Sequence, residues 1–168
     1  MVWYILVVSL HILAACVWIG GMVFLAAAVL PVLRRPAYQA VAIPLIHATA
    51  VRFRWIGWGT LGLLIGTGIA DLIFRGYGWE QLRSGALRQS SFGHVLGIKL
   101  VLVAAILIVS AWHDIFVGPQ FTRAGQEDPH SPHTRRLRRL ASWVGRVILI
   151  LSVVVVVLGV MLVRGVPQ

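Results

Sequence analysis

The sequence predicts an all-α, integral membrane four-helix bundle, and three observations carry that prediction. Of 168 residues, 59% are hydrophobic and only 12% are charged, and the mean hydropathy is +0.88; a soluble domain cannot hide that much apolar surface. Four stretches, about residues 3–30, 55–74, 93–117 and 143–163, each reach the roughly 20 apolar residues that a hydrocarbon slab requires. Finally, the arginines fall almost wholly between and beyond these stretches. The spans use most of the chain, so residues 1–168 read as one membrane domain without a separate soluble one.

Arginine placement predicts the topology. Arg34, Arg35, Arg52, Arg54, Arg123, Arg135, Arg136, Arg138, Arg139 and Arg146 share one side of a four-span arrangement, whereas Arg75, Arg83, Arg88 and Arg164 share the other. The positive-inside rule then puts both termini on the outer, periplasmic side of a multi-pass protein of the bacterial inner membrane. The net charge of +10 would suggest nucleic acid in a soluble protein. Here it is explained by topology and by contact with anionic headgroups, so the bilayer is the expected partner and nucleic acid is not.

Span one is expected to stop at Pro31, with Arg34, Arg35 and Pro36 beyond. Residues 37–54, AYQAVAIPLIHATAVRFR, are too polar for a clean span and predict an interfacial or protruding helix that feeds span two. Span two is glycine-rich, and Gly62 and Gly66, four apart, offer either close helix approach or room for a flat cofactor. Thr60 and Thr67 share a face, with Asp71 one turn beyond. Tyr77, Trp79, Trp58 and Trp55 read as interfacial aromatics. Gly118-Pro119 is expected to break span three, and residues 120–135 to form a polar loop in which His130 and His133 are solvated. In span four, Gly145, Ser152 and Gly159 repeat every seven residues. They make a small-residue face suited to a partner helix, either of a second copy or of a respiratory complex. No internal repeat is evident. The single cysteine excludes an intrachain disulfide. Leu13-Ala14-Ala15-Cys16 resembles a lipoprotein cleavage site, but no basic residue precedes it and membrane helix follows, so Cys16 reads as a packed thiol.

The groups that carry chemistry are the ionisable residues inside the spans. An imidazole or an ammonium in hydrocarbon is costly and faces a bundle interior, a partner or a water-filled path. His11 and Lys99 lie about 10–13 Å below the starts of spans one and three at 1.5 Å per residue, so they can meet if those helices pack together. His11, Trp18 and Leu25 share one face, as do Lys99, Ile106 and His113, and both faces are expected to line the interior. The bland alternatives are a core histidine donating to a carbonyl and a lysine that snorkels to the interface. His113 and His47 form a second, inner set. Asp114 follows His113 directly, and neighbours in sequence do not face each other on a regular helix, so no pair is expected there.

Haem b is the leading occupant suggested by these residues. Its iron takes imidazole, and its flat ring fits between glycine-rich helices. His11 would be an axial ligand and Trp18 a cofactor contact. Lys99 would ligate, bind a propionate or gate a proton, which makes it the candidate catalytic residue of a membrane oxidoreductase or electron carrier. His113 and His47 would supply a second ligand or a second haem. Copper is the alternative, with His11, His113 and His47 as candidate metal ligands. Soft Cu(I) prefers sulfur, and Cys16, Met22 and Met161 form no thioether cluster, but an imidazole-only Cu(II) site stays open. An accessory subunit of a respiratory complex is a third reading.

LHILAACVWIGGMVFLAAAVLPVLRR, RFRWIGWGTLGLLIGTGIADL, GIKLVLVAAILIVSAWHDIFVGP and RVILILSVVVVVLGVMLVRG together resemble the four-helix copper resistance D domain family over nearly the whole chain. The layout is more distantly similar to the J-type protoporphyrinogen oxidases, four-helix membrane proteins that bind haem b and oxidise a haem precursor. That second resemblance implies a functional pair of His11, in LHILAACVW, and Lys99, in GIKLVLV. The chain departs from the J-type pattern at LPVLRR and WVGRVIL.

Overall fold

The computed structural model describes residues 1–77, 90–129 and 131–164. Trp79, Arg83, Arg88 and His130 therefore lie outside the described residues. Four helices are long and apolar enough to cross a membrane: α1 (Val2–Leu33), α2 (Gln39–Phe74), α3 (Ser91–Glu127) and α4 (Pro132–Arg164). The chain is a multi-pass, all-helical membrane protein among these residues. The outward surfaces suit lipid: Ile12, Val101, Ile108, Ile150 and Val157 are all more than half exposed in the isolated chain.

Two prolines that were expected to break helices do not. α1 passes through Pro31 and α3 passes through Pro119. A proline lacks an N–H and clashes with the carbonyl four residues back. Both helices avoid the clash by widening first, through π turns at Leu25–Val29 and His113–Val117. The residue before each proline donates five residues back, Leu30 to Leu25 and Gly118 to His113. The expected loop over residues 120–135 is thus mostly helix, and α3 ends at Glu127. Residues 39–54 likewise continue into α2 as one 36-residue helix with Pro44 inside.

The π turns expose a duplication that composition hides. A shift of 88 residues carries Leu25–Val29 onto His113–Val117, Pro31 onto Pro119 and His11 onto Lys99. The two halves, α1–α2 and α3–α4, are hairpins running in the same sense, so an internal repeat exists although few residues are identical.

α1 packs against α2 and α4, and α3 packs against α4. α2 meets α3 chiefly where Gly118–Glu127 crosses it. α1 and α3 therefore stand diagonally across the bundle rather than side by side. Trp18, Leu61, Ile106, Val144 and Ile148 form the central apolar plug, one or two from each helix. Trp18 is the knot. Its indole N–H donates to Ser152 Oγ at 3.0 Å, and Ser152 in turn donates to Ile148 O at 2.8 Å. An interhelical bond such as that from Trp18 is worth about 0.6 kcal/mol in bilayers, so it orients more than it stabilises. The Trp18 ring lies nearly parallel to Phe53 at 6.1 Å.

Small residues work at other places than expected. A Cβ at Gly57 would sit 2.9 Å from Trp18 Cζ3, and one at Gly21 would sit 2.5 Å from Phe53 Cε2. Nothing lies within 4 Å of a Cβ at Gly62 or Gly66, so no described helix approaches them. In α4, Ser152 is buried against Trp18 and Gly159 faces Lys99. Ser152 and Gly159 are thus met from within the chain, whereas nothing lies within 4 Å of a Cβ at Gly145. Cys16, expected to be packed, is exposed.

Gly57→Ala should therefore lower thermal stability in detergent by about 1–3 kcal/mol through overpacking on Trp18, whereas Gly62→Ala should be neutral to within about 1 kcal/mol. Paired thermal unfolding of the two variants checks this; equal effects would contradict the Trp18 socket.

Candidate functional site

One layer of the bundle gathers the membrane-embedded polar groups nearest the terminal end. His11 reaches α2, where Nδ1 lies 2.8 Å from Thr67 Oγ1. Thr67 Oγ1 donates its own proton to Leu63 O at 2.6 Å. A hydroxyl has one proton, and it is spent on the carbonyl. The imidazole must therefore donate from Nδ1, which leaves Nε2 with a free lone pair whenever the ring is neutral. Gly68 makes the space: a Cβ there would touch His11 Cε1 at 3.5 Å.

Lys99 enters the same layer from the diagonal helix. Its Nζ lies 3.4 Å from where a Gly159 Cβ would be. Gly159 is seven residues beyond Ser152, and His11 is seven before Trp18, which holds Ser152. Gly159 is thus level with both His11 and Lys99. The reading of Lys99 as a snorkelling residue is not what is seen, because its amine turns toward α4. Asp71 closes the terminal end. Arg75 Nε donates to both carboxylate oxygens at 3.1 and 3.0 Å, and Arg75 Nη2 donates to Tyr4 Oη at 3.3 Å.

A second polar layer lies beyond the apolar plug. Along α3 the order is Lys99, Ile106, Ser110, then His113 and Asp114, all on or near one face. Asp114 Oδ2 accepts from Trp58 Nε1 at 3.0 Å and lies 4.0 Å from Arg54 Nε. His113 Nδ1 lies 3.1 Å from Asp114 Oδ1. This contradicts the expectation that sequence neighbours stay apart. The π turn that begins at His113 widens the helix there, and the regular spacing no longer applies. An ionised carboxylate only accepts, so His113 also donates from Nδ1 and directs Nε2 away from Asp114. Two buried polar atoms in this region have no hydrogen-bond partner, Arg54 Nε and Ser110 Oγ.

The histidines do not share one site. Fourteen residues separate the level of His11 and Lys99 from His113, about 21 Å at 1.5 Å per residue. His47 is exposed on α2, two turns beyond Arg54, and His133 is exposed near the start of α4. Among the described residues no three of His, Cys, Asp and Glu gather as a metal cage. On either side of the plug stands one inward imidazole tied at Nδ1, His11 and His113; His94, exposed at the start of α3, is likewise bound at Nδ1, to Ser90 O at 3.0 Å. Trp18 touches the layer only from the plug side, through Gly57, Phe53 and Ser152.

Sequence reasoning had singled out His11, Lys99, His113 and the face of Thr67. It missed Ser152 as the Trp18 acceptor, Ser110 as a buried orphan, and Trp58 with Arg54 as partners of Asp114. A usable signal existed for Ser110, which lies four residues after Ile106 and three before His113 on the inward face.

A family model described as CopD, copper resistance protein D, matches residues 47–162, well over half of the chain; α1 with His11 lies before the matched range. A protein of Aquifex aeolicus (strain VF5) described as an uncharacterized protein is 28% identical over 153 residues, covering 90% of this chain and 89% of that protein. No solved structure matches.

Nitrogen-15 NMR of imidazole-labelled protein should show the His11 ring neutral at Nε2 and protonated at Nδ1. Thr67→Val should release that preference and cost about 1 kcal/mol of stability. An unchanged tautomer in Thr67→Val would show that the hydroxyl does not set it.

Proposed function

We propose, for a chain that belongs to the copper resistance protein D family, that it handles copper as cargo within the membrane and that its two imidazole layers are the stations. The family match favours copper over haem b, which has less behind it. The upper layer sets an imidazole opposite an amine, and His113 is about 21 Å down the axis.

The observation that carries the reading is the matched state of His11 and His113. Each is held by a hydrogen bond at Nδ1, to Thr67 and to Asp114. Metal-ligating histidines are oriented in this way, with the second nitrogen presented to the ion. Imidazole is a ligand for copper, and for Cu(II) above all. Two isolated nitrogens bind weakly and release readily, which suits passage rather than storage. The plug of Trp18, Leu61, Ile106, Val144 and Ile148 separates the stations and would have to move for cargo to cross. Lys99 supplies the coupling. A protonated amine and a copper ion repel each other in one low-dielectric layer, so arrival of the ion at His11 favours loss of the Lys99 proton. In this role Lys99 gates a proton and is not a metal ligand. The arginine-rich end lies in the cytoplasm and both termini in the periplasm of a bacterial inner membrane.

Protein purified in detergent and loaded with copper should retain the ion without a Soret band. His11→Ala should weaken retention by about tenfold, in keeping with loss of one ligand. Lys99→Met should leave copper bound but abolish the proton release that accompanies binding. A Soret band in the wild type that vanishes in His11→Ala would replace copper by haem. Copper retention equal in the wild type, His11→Ala and His113→Ala would remove the stations altogether.

A further inference from the structure

Four arginines meet at the basic end of the bundle. A cleft of about 300 Å³ is lined by Arg34 from the end of α1 and by Arg138, Arg139, Ser142, Trp143 and Arg146 from α4. Arg138, Ser142 and Arg146 fall four residues apart, on one helical face. Among the described residues no carboxylate lies within ion-pair distance of these guanidinium groups; the ion pairs present are at Arg54, Arg75 and His113. Arg146 lies over the Trp143 ring at 5.5 Å, which holds one guanidinium at the mouth of the cleft. All four arginines are exposed, and an anion that bridges them would relieve the repulsion among like charges.

We propose that this cleft is a phosphodiester site, and that its ligand is the headgroup of an anionic phospholipid. Guanidinium forks match phosphate oxygens, and the Ser142 hydroxyl adds a donor beside them. The lipid, rather than free phosphate, is favoured by what continues from the cleft. Trp143, Val147, Ile150, Val154 and Val157 run down one face of α4 and are 63%, 42%, 62%, 40% and 53% exposed. That stripe is an acyl-chain track leading away from a headgroup cradle. A lipid seated there joins α1 to α4 at the end opposite His11. This inference rests on the membrane reading but not on copper, so the two can fail separately.

The test uses the full chain in neutral detergent, titrated with dioctanoyl phosphatidylglycerol and followed by native mass spectrometry. One lipid should bind saturably. The triple variant Arg34→Gln, Arg138→Gln, Arg146→Gln should weaken it about a hundredfold, roughly a factor of five per arginine. The charge-matched triple Arg123→Gln, Arg135→Gln, Arg136→Gln should stay within about twofold, since those residues do not line the cleft. Should the first triple variant lose its helicity, Arg34→Gln alone decides, with a loss of about fivefold. Equal weakening by both triple variants would overturn the site in favour of diffuse charge. Equal binding of dioctanoyl phosphatidylcholine would overturn the role of the phosphate's net charge. Full displacement by sodium phosphate would overturn the lipid.

Discussion

Hydrocarbon tolerates no unpaired imidazole, and the bond from His11 to Thr67 is where this chain meets that constraint. The bond ties α1 to α2 at the depth where Lys99 arrives from the diagonal helix. It fixes which nitrogen of the ring is spent and which is presented. The glycines at 68 and 159 follow from it, because a side chain at either position would take the space that the imidazole and the amine occupy. Asp71 and Arg75 then close the layer toward the termini, and the Trp18 plug closes it toward the basic end. The layer is polar, bounded at both ends, and reached from all four helices.

The duplication gives this layer a simple origin in geometry. Two hairpins in parallel sense place equivalent positions at equal depth, so a residue 20 before the proline of either half reaches the same level. One half carries histidine there and the other lysine. The lower layer breaks the equivalence. The second π turn holds His113 against Asp114, whereas the first holds only Leu25 and its apolar neighbours. The halves share a scaffold and have divided the polar groups, with an imidazole and an amine in the upper layer and a second imidazole below.

Much of this was legible in the chain. Four spans follow from hydropathy, and the common depth of His11 and Lys99 follows from counting residues at a fixed rise. The inward faces through Trp18 and Ile106 follow from the helical period, and both residues are buried. What was not legible depends on contacts between distant segments. Thr67 is 56 residues from His11, and Trp58 is 56 from Asp114. Pro31 and Pro119 mislead because a local rule for breaking helices ignores the π turn that absorbs the clash. Gly62 and Gly66 mislead because a spacing of four says that two glycines share a face, not which face is inward. The repeat was hidden because lipid-facing positions accept any apolar residue, and identity decays there while register does not.

The central claim is that residues 11 and 99, on helices that stand diagonally across the bundle, face each other across one interior layer. Cysteine cross-linking tests it directly. In a Cys16→Ser background, His11→Cys with Lys99→Cys should be bridged within one chain by a short bismaleimide. His11→Cys with His113→Cys, about 21 Å apart along the axis, should not. Failure of the first pair with both thiols reactive, or bridging of both pairs alike, would contradict the account.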